Sequence, residues 1–121
     1  MTRNQDIGKA AEDYVSEQLK KRGAVIIARN YTVHGVGEID IICAYKGRVL
    51  VIEVKSRHYD MNFGTPEEAV TKSKQKKIMQ TAVHFCNERS IPLDRVSYYV
   101  AGVLHDSYGN IMEVQYTPFF G

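Results

Sequence analysis

Asp40, Glu53 and Lys55 lie in the stretch GEIDIICAYKGRVLVIEVKSR, where two acids and a base stand among valines and isoleucines. Burying an unpartnered charge is costly, or shifts its pKa until the group is neutral, so carboxylates on apolar strands call for a cation. Lys55 is one candidate. A divalent metal is another, and hard carboxylate oxygens suit Mg2+ or Mn2+. Asp40 and Glu53 would then hold the ion between them.

Whether the two acids meet depends on the turn. If Lys46 and Gly47 form a two-residue turn, Tyr45 pairs with Arg48, and counting back brings Asp40 opposite Glu53 and Glu38 opposite Lys55. Directly opposed like charges repel across a sheet, and a metal between them removes the conflict. A three-residue turn with Gly47 as a bulge would send Glu53 to the other face. Glu53 and Lys55 share a face in either case, because side chains alternate along a strand.

Two helices offer further polar groups. Glu12 follows Gly8 by four and precedes Val15 and Leu19 by three and seven, so it runs along the buried edge of the first helix. Gly8 would let that helix approach the sheet closely. Gln75 heads the apolar stripe of the second helix in the same way. The plainer alternatives are a solvated flank for Glu12 and Gln75, and a salt-bridge cluster for the strands in which Lys55 neutralises one acid. That cluster leaves one negative charge uncompensated, which favours a site. Lys72, Lys74, Lys76 and Lys77 crowd TKSKQKKIMQ beside it. Clustered ammonium groups neutralise phosphates, although a solvated helix face has the same composition. His34, His58, His84 and His105 show no ligand spacing. His34 and His58 adjoin the motif strands and are candidates for substrate contact.

The elements that must position these groups follow from periodicity. Ile7, Ala11, Val15 and Leu19 form an amphipathic stripe over residues 6–22, closed by KKRG. AVIIARN reads as a strand and YTVHGVG as a loop. EIDIICAY and RVLVIEVK form a hairpin whose two faces are both apolar, as when helices cover both sides of a sheet. TPEEAV begins a helix or makes one turn. A second helix runs from residue 71 or 72 to 89, with Ile78, Ala82, Phe85 and Cys86 facing the sheet. RVSYYVAGVLH and NIMEVQY make a second hairpin, followed by an aromatic tail, TPFFG. The expectation is an α/β fold in a single layered domain over residues 1–121, a central mixed β-sheet flanked by helices, order αβββαββ.

With 121 residues, 44% hydrophobic and 25% charged, the chain reads as one soluble globular domain. It has no run of about 18 apolar residues to cross a membrane. The opening MTRNQDIGKAAEDY carries acids and no continuous apolar core, which argues against a secretory signal and for a cytoplasmic protein. Cys43 and Cys86 fall on apolar faces and read as reduced core residues. A net charge of +2 is too small to single out a nucleic-acid binder.

GEIDII, VIEVKSR and GTPEEAVTKSKQKKI, together with GKAAEDYVSEQLKKRGAVIIARNY, resemble the bacterial YraN family of endonuclease-like proteins over most of residues 8–86. That family is in turn similar to archaeal Holliday junction resolvases and the PD-(D/E)XK nuclease superfamily. The resemblance implies a restriction-endonuclease-like fold and Mg2+- or Mn2+-dependent cleavage of DNA, including branched or structured DNA. A catalytically weak nucleic-acid-binding module of the same fold is the alternative. The resemblance implies that Asp40 is the first acid, Glu53 and Lys55 the E-x-K that follows, and Glu12 the acid of the first helix; Asp40 and Glu53, with help from Glu12, would then hold the ion, and Lys55 would orient the attacking water or stabilise the developing charge. Lys74 and Gln75 fall where the superfamily often has a polar helper. Arg57, Lys72, Lys76 and Lys77 then join them as nucleic-acid contacts. Resolvase-like folds are also compatible with a homodimer. Where the family tends to have an Arg-Phe-Asp strand, this chain reads SYYV, which puts partner contacts in doubt more than the acidic core.

Overall fold

The computed structural model describes residues 3–60 and 69–120. Most of TPEEAV falls outside those residues. Helix α1 spans Arg3–Lys21, strands β1, β2 and β3 span Val25–Val33, Gly37–Tyr45 and Arg48–His58, and helix α2 spans Lys72–Arg89. A 3-10 turn, Leu93–Arg95, leads into β4 (Val96–His105) and β5 (Ile111–Phe119). The αβββαββ order is the one the sequence predicts.

The strands form one five-stranded sheet in the order β1-β2-β3-β4-β5. Every pairing is antiparallel except β3 with β4. A parallel neighbour needs a crossover, and α2 lies on the chain between those two strands. The two faces carry separate cores. Ala11, Val15 and Leu19 of α1 pack with Ile41, Cys43, Ile52, Ala101 and Val103, while Ile78, Ala82, Phe85 and Cys86 of α2 pack with Ile39, Ile42, Val49, Val51 and Val100. Helices on both faces explain why the central strands are apolar on both sides. Cys43 and Cys86 are buried free thiols, one in each core.

Helix α2 begins where the side chain of Thr71 accepts from the Lys74 amide at 3.2 Å. It ends at Ser90, whose left-handed backbone (φ 56) returns its amide to the Cys86 carbonyl.

Two expectations need correction. YTV is not loop but the end of β1, since Tyr31, Thr32 and Val33 pair with Ile39, Glu38 and Gly37. These are residues that favour strands, and a tight turn at Gly35 (φ 78) suffices to reverse the chain. Likewise the aromatic tail continues β5: Pro118 pairs with Tyr99 and buried Phe119 with Tyr98. Proline is tolerated there because β5 is an edge strand.

Candidate active site

Lys46 and Gly47 both have left-handed φ, 50° and 77°, and Tyr45 pairs with Arg48. The hairpin therefore has the two-residue turn, and the register points Asp40 at Glu53. The ladder itself stops one pair earlier, at Ile41 with Ile52. Beyond it the Asp40 carboxylate accepts the Val54 backbone amide at 2.8 Å, doing what a carbonyl of β2 would do in a continued ladder. Asp40 and Glu53 thus meet in a fork between β2 and β3 and not as a regular cross-strand pair. Glu38 does not reach Lys55 through the ladder. It accepts from the Thr32 hydroxyl at 3.1 Å.

The fork is prepared by paired irregularities. Ile42 and Ile39 both belong to the α2-side core although they are three residues apart, while Ile41 faces α1. Strict alternation would put Ile39 with Ile41, so the strand changes face at Asp40. Across from it, between the pairs Arg29–Ile41 and Tyr31–Ile39, Asn30 is left-handed with φ 51. Asparagine is among the few residues that adopt this conformation at modest cost. The consequence is that Arg29 and Asn30 both reach α1.

Glu53 is only 4% exposed, and its Oε2 is buried without a hydrogen-bond partner. Burial, then a hydrogen bond and charge from Asp40, push its pKa up to about 9, against weaker opposition from Lys74 and Lys55. Lys74 is the nearest cation, its Nζ 3.8 Å from that oxygen, too long for a hydrogen bond. The cluster in which Lys55 neutralises an acid is therefore not what is seen. Among the described residues Lys55 makes no ion pair. It sits half-buried on β3, two residues from Glu53 and on its face.

Glu12 is not a solvated flank. Its Oε1 accepts from Asn30 Nδ2 at 3.1 Å and lies 3.6 Å from Arg29, which also binds Asp13 at 2.8 Å. Burial chiefly raises its pKa, with a further contribution from the charge of Asp40. Glu12 thus stands beside the acidic pair but is held by Arg29 and Asn30. Gly8 does not bring α1 close: a Cβ there would meet nothing within 4 Å. The close approach is at Gly37, where a Cβ would lie 2.7 Å from Thr81 Oγ1 and 3.3 Å from the Lys77 carbonyl. Arg29, Asn30 and Gly37 were not singled out by motif reasoning. An asparagine inside a strand-forming run and a glycine before the acidic strand were the available signals.

Gln75 is buried as its position predicts, and its amide donates to the Val70 carbonyl at 3.0 Å, anchoring the chain that enters α2. Lys72, Lys74, Lys76 and Lys77 are exposed on α2, and Arg57 is half-buried on the face of Glu53 and Lys55. Both ring nitrogens of His58 are engaged, with Asp60 at 2.6 Å and Ser107 at 3.0 Å. His34 is exposed in the β1–β2 turn.

The family comparison matches residues 11–103 to the model described as uncharacterised protein family UPF0102. The chain belongs to the UPF0102 family. A UPF0102 protein of Dictyoglomus thermophilum is 37% identical over 93% of this chain and 94% of its own length. One of Chloroherpeton thalassium is 42% identical over 91% of this chain and 84% of its own. This is the family to which the YraN resemblance points. A solved XisH family protein from Nostoc punctiforme superposes with a TM-score of 0.38 and 15% identity over 86% of this chain and 97% of its own, too loosely to inform function. Among the described residues no helix is long and apolar enough to cross a membrane.

Does the site fit a divalent cation? The donors are hard oxygens, two carboxylates face each other, and one buried oxygen has no partner. Those features fit. The third donor does not join them: among the described residues no group of three or more His, Cys, Asp or Glu side chains is arranged to hold a metal, because Glu12 is turned to Arg29 and Asn30.

The raised pKa of Glu53 makes stability depend on pH. Its folded value, about 9, exceeds its ordinary 4.5, so the native state binds the extra proton. This contribution is intact below about 4.5 and is lost as pH rises through about 9. In chelator, the wild-type melting temperature should fall over that window relative to Glu53→Gln, whose amide is neutral throughout. Melting curves between pH 5 and 9 measure it, and parallel profiles would refute the buried-acid assignment.

Proposed function

We propose that this UPF0102 protein is a metal-dependent endonuclease that hydrolyses phosphodiester bonds in DNA, including branched or structured DNA. The observation that carries the proposal is the Asp40–Glu53 pair in the strand fork, with the unpartnered Glu53 Oε2 and Lys55 two residues on. Asp40 and Glu53 would hold Mg2+ or Mn2+, with Glu12 adjacent. When bound, such an ion polarises the scissile phosphate and lowers the pKa of a bound water. Lys55, on the face of Glu53, orients the nucleophile or stabilises charge on the phosphorane. Arg57 and the lysines of α2 neutralise flanking phosphates.

The retention of Glu12 by Arg29 and Asn30 favours a second reading, a DNA-binding module with little turnover. Purified protein incubated in Mg2+ or Mn2+ with linear, flapped and four-way DNAs separates the two. Nicking or cutting of any substrate supports the enzyme, and binding without cleavage on all of them supports the module.

Lys76 and Lys77 are exposed beside Lys74, whose Nζ lies 3.8 Å from Glu53. Each phosphate contact contributes about −0.9 to the slope of log affinity against log salt. Replacing both with alanine should weaken duplex binding for all sequences alike and lower the slope magnitude by roughly 1 to 2. Filter binding from 50 to 200 mM salt measures it. An unchanged slope would make these lysines a solvated helix face.

A further inference from the structure

On the α1 face, toward the β2–β3 turn, an open groove of about 400 Å³ is lined by three tyrosines, Tyr45, Tyr99 and Tyr116, and three cations, Arg22, Lys46 and Arg48. Among the described residues no acidic side chain lines it. Two of the cations lie over rings: Arg22 is 5.8 Å from the Tyr116 centroid and Lys46 5.2 Å from that of Tyr45. Arg48 is fixed by Ser97 Oγ at 2.8 Å and by the carbonyls of Asp94 and Val96. Tyr116 is oriented by its hydroxyl, which donates to Gln18 at 2.7 Å. The hydrophobic core explains none of these cations.

We propose that this groove seats an unpaired nucleotide of single-stranded DNA, separate from the acidic fork. Tyr99, which among the described residues has no cation over its ring, gives a base a stacking surface whatever its identity, and the cations over Tyr116 and Tyr45 are placed to neutralise the flanking phosphates. The cations come from two places, Arg22 just after α1 and the pair Lys46 and Arg48 on either side of Gly47 in the β2–β3 hairpin. A doubly charged group is disfavoured, because α1 enters the groove by its C-terminal turn, the negative end of the helix dipole. From Arg48 to Glu53 the path along β3 is about 17 Å, and the two side chains point to opposite faces of the sheet, which keeps the groove apart from the fork. The inference rests on the reading of DNA as the ligand and not on the hydrolytic step.

The test uses the full chain in chelator with a fluorescein-labelled dT10 strand and a matched duplex. The protein contains no tryptophan, so its intrinsic emission comes from its eight tyrosines, and the part of a quench that Tyr99→Leu removes reports stacking in the groove. The single strand should bind and quench that emission. Tyr99→Leu should weaken single-strand affinity about tenfold and reduce the quench. Arg22→Gln with Lys46→Asn removes two cations, and asparagine suits the left-handed Lys46 position. This surface pair should lower the single-strand salt slope by about 1.4, and it keeps the test valid if Tyr99→Leu fails to fold. Duplex affinity should be unchanged. No single-strand binding by the wild type, an unchanged slope in the folded pair, or an equal loss on duplex would each overturn the groove. Because no metal is present, any of these results leaves the hydrolytic reading standing, and failure to cleave DNA leaves the groove standing.

Discussion

Glu53→Gln and Lys55→Ala should each reduce metal-dependent DNA cleavage by about 100- to 1,000-fold or more, with the fold intact. The size follows from removing a preorganised group aimed at charge that develops in the transition state. Glu53 supplies the buried oxygen that has no other partner, and the isosteric amide keeps its shape while losing the charge a cation needs. Lys55 is free of ion pairs among the described residues and shares the face of Glu53, so no carboxylate holds its side chain away from a phosphate there. The two variants should differ in stability. Glu53→Gln relieves the burial of an acid and should melt higher than wild type at pH 8 in chelator, whereas Lys55→Ala should change little. Single-turnover cleavage with circular dichroism as the folding control measures both effects. Activity that survives in both variants would belong to a contaminant.

Gly37→Ala should destabilise the protein by roughly 1 to 3 kcal/mol, the usual range for overpacking. The added Cβ would lie 2.7 Å from Thr81 Oγ1 and 3.3 Å from the Lys77 carbonyl. Thr81 cannot swing aside freely, since it is buried and donates to the same Lys77 carbonyl at 2.8 Å. The helix must move instead, and α2 carries Lys74 toward Glu53, so cleavage should fall with stability. Adding Thr81→Ala should recover part of the loss by removing the nearer contact, as a double-mutant cycle would show. A change below about 0.5 kcal/mol, the size typical of surface substitutions, would mean that Gly37 does not set the distance of α2 from the sheet.

The acidic pair was legible in the sequence because its two determinants are local. Lys-Gly admits a two-residue turn, and side-chain alternation then carries the register from Tyr45 to Asp40 without tertiary information. The fork was not legible, because it arises when a side chain outcompetes a carbonyl for the Val54 amide, and no period in the sequence records that exchange. Lys74 as the cation nearest Glu53 depends on where α2 lands on the sheet, which composition cannot specify. The same cause misdirected the reading of Gly8. A glycine on a helix marks a close approach only if the facing surface is near, and here the contact falls on Gly37 of β2. The limits of α2 were readable to within a residue, because what sets them is short-range: Thr71 caps the start, and SIPLD with its proline breaks the helix after Arg89.

The central claim, that the Asp40–Glu53 fork holds the cation for phosphodiester hydrolysis, is tested most directly by an anomalous difference map from crystals soaked in Mn2+ at pH 8. The account predicts a peak within bonding distance of both carboxylates in the wild type and its loss in Asp40→Asn. A wild-type map with no peak at the fork, or with a peak that persists in Asp40→Asn, would contradict it.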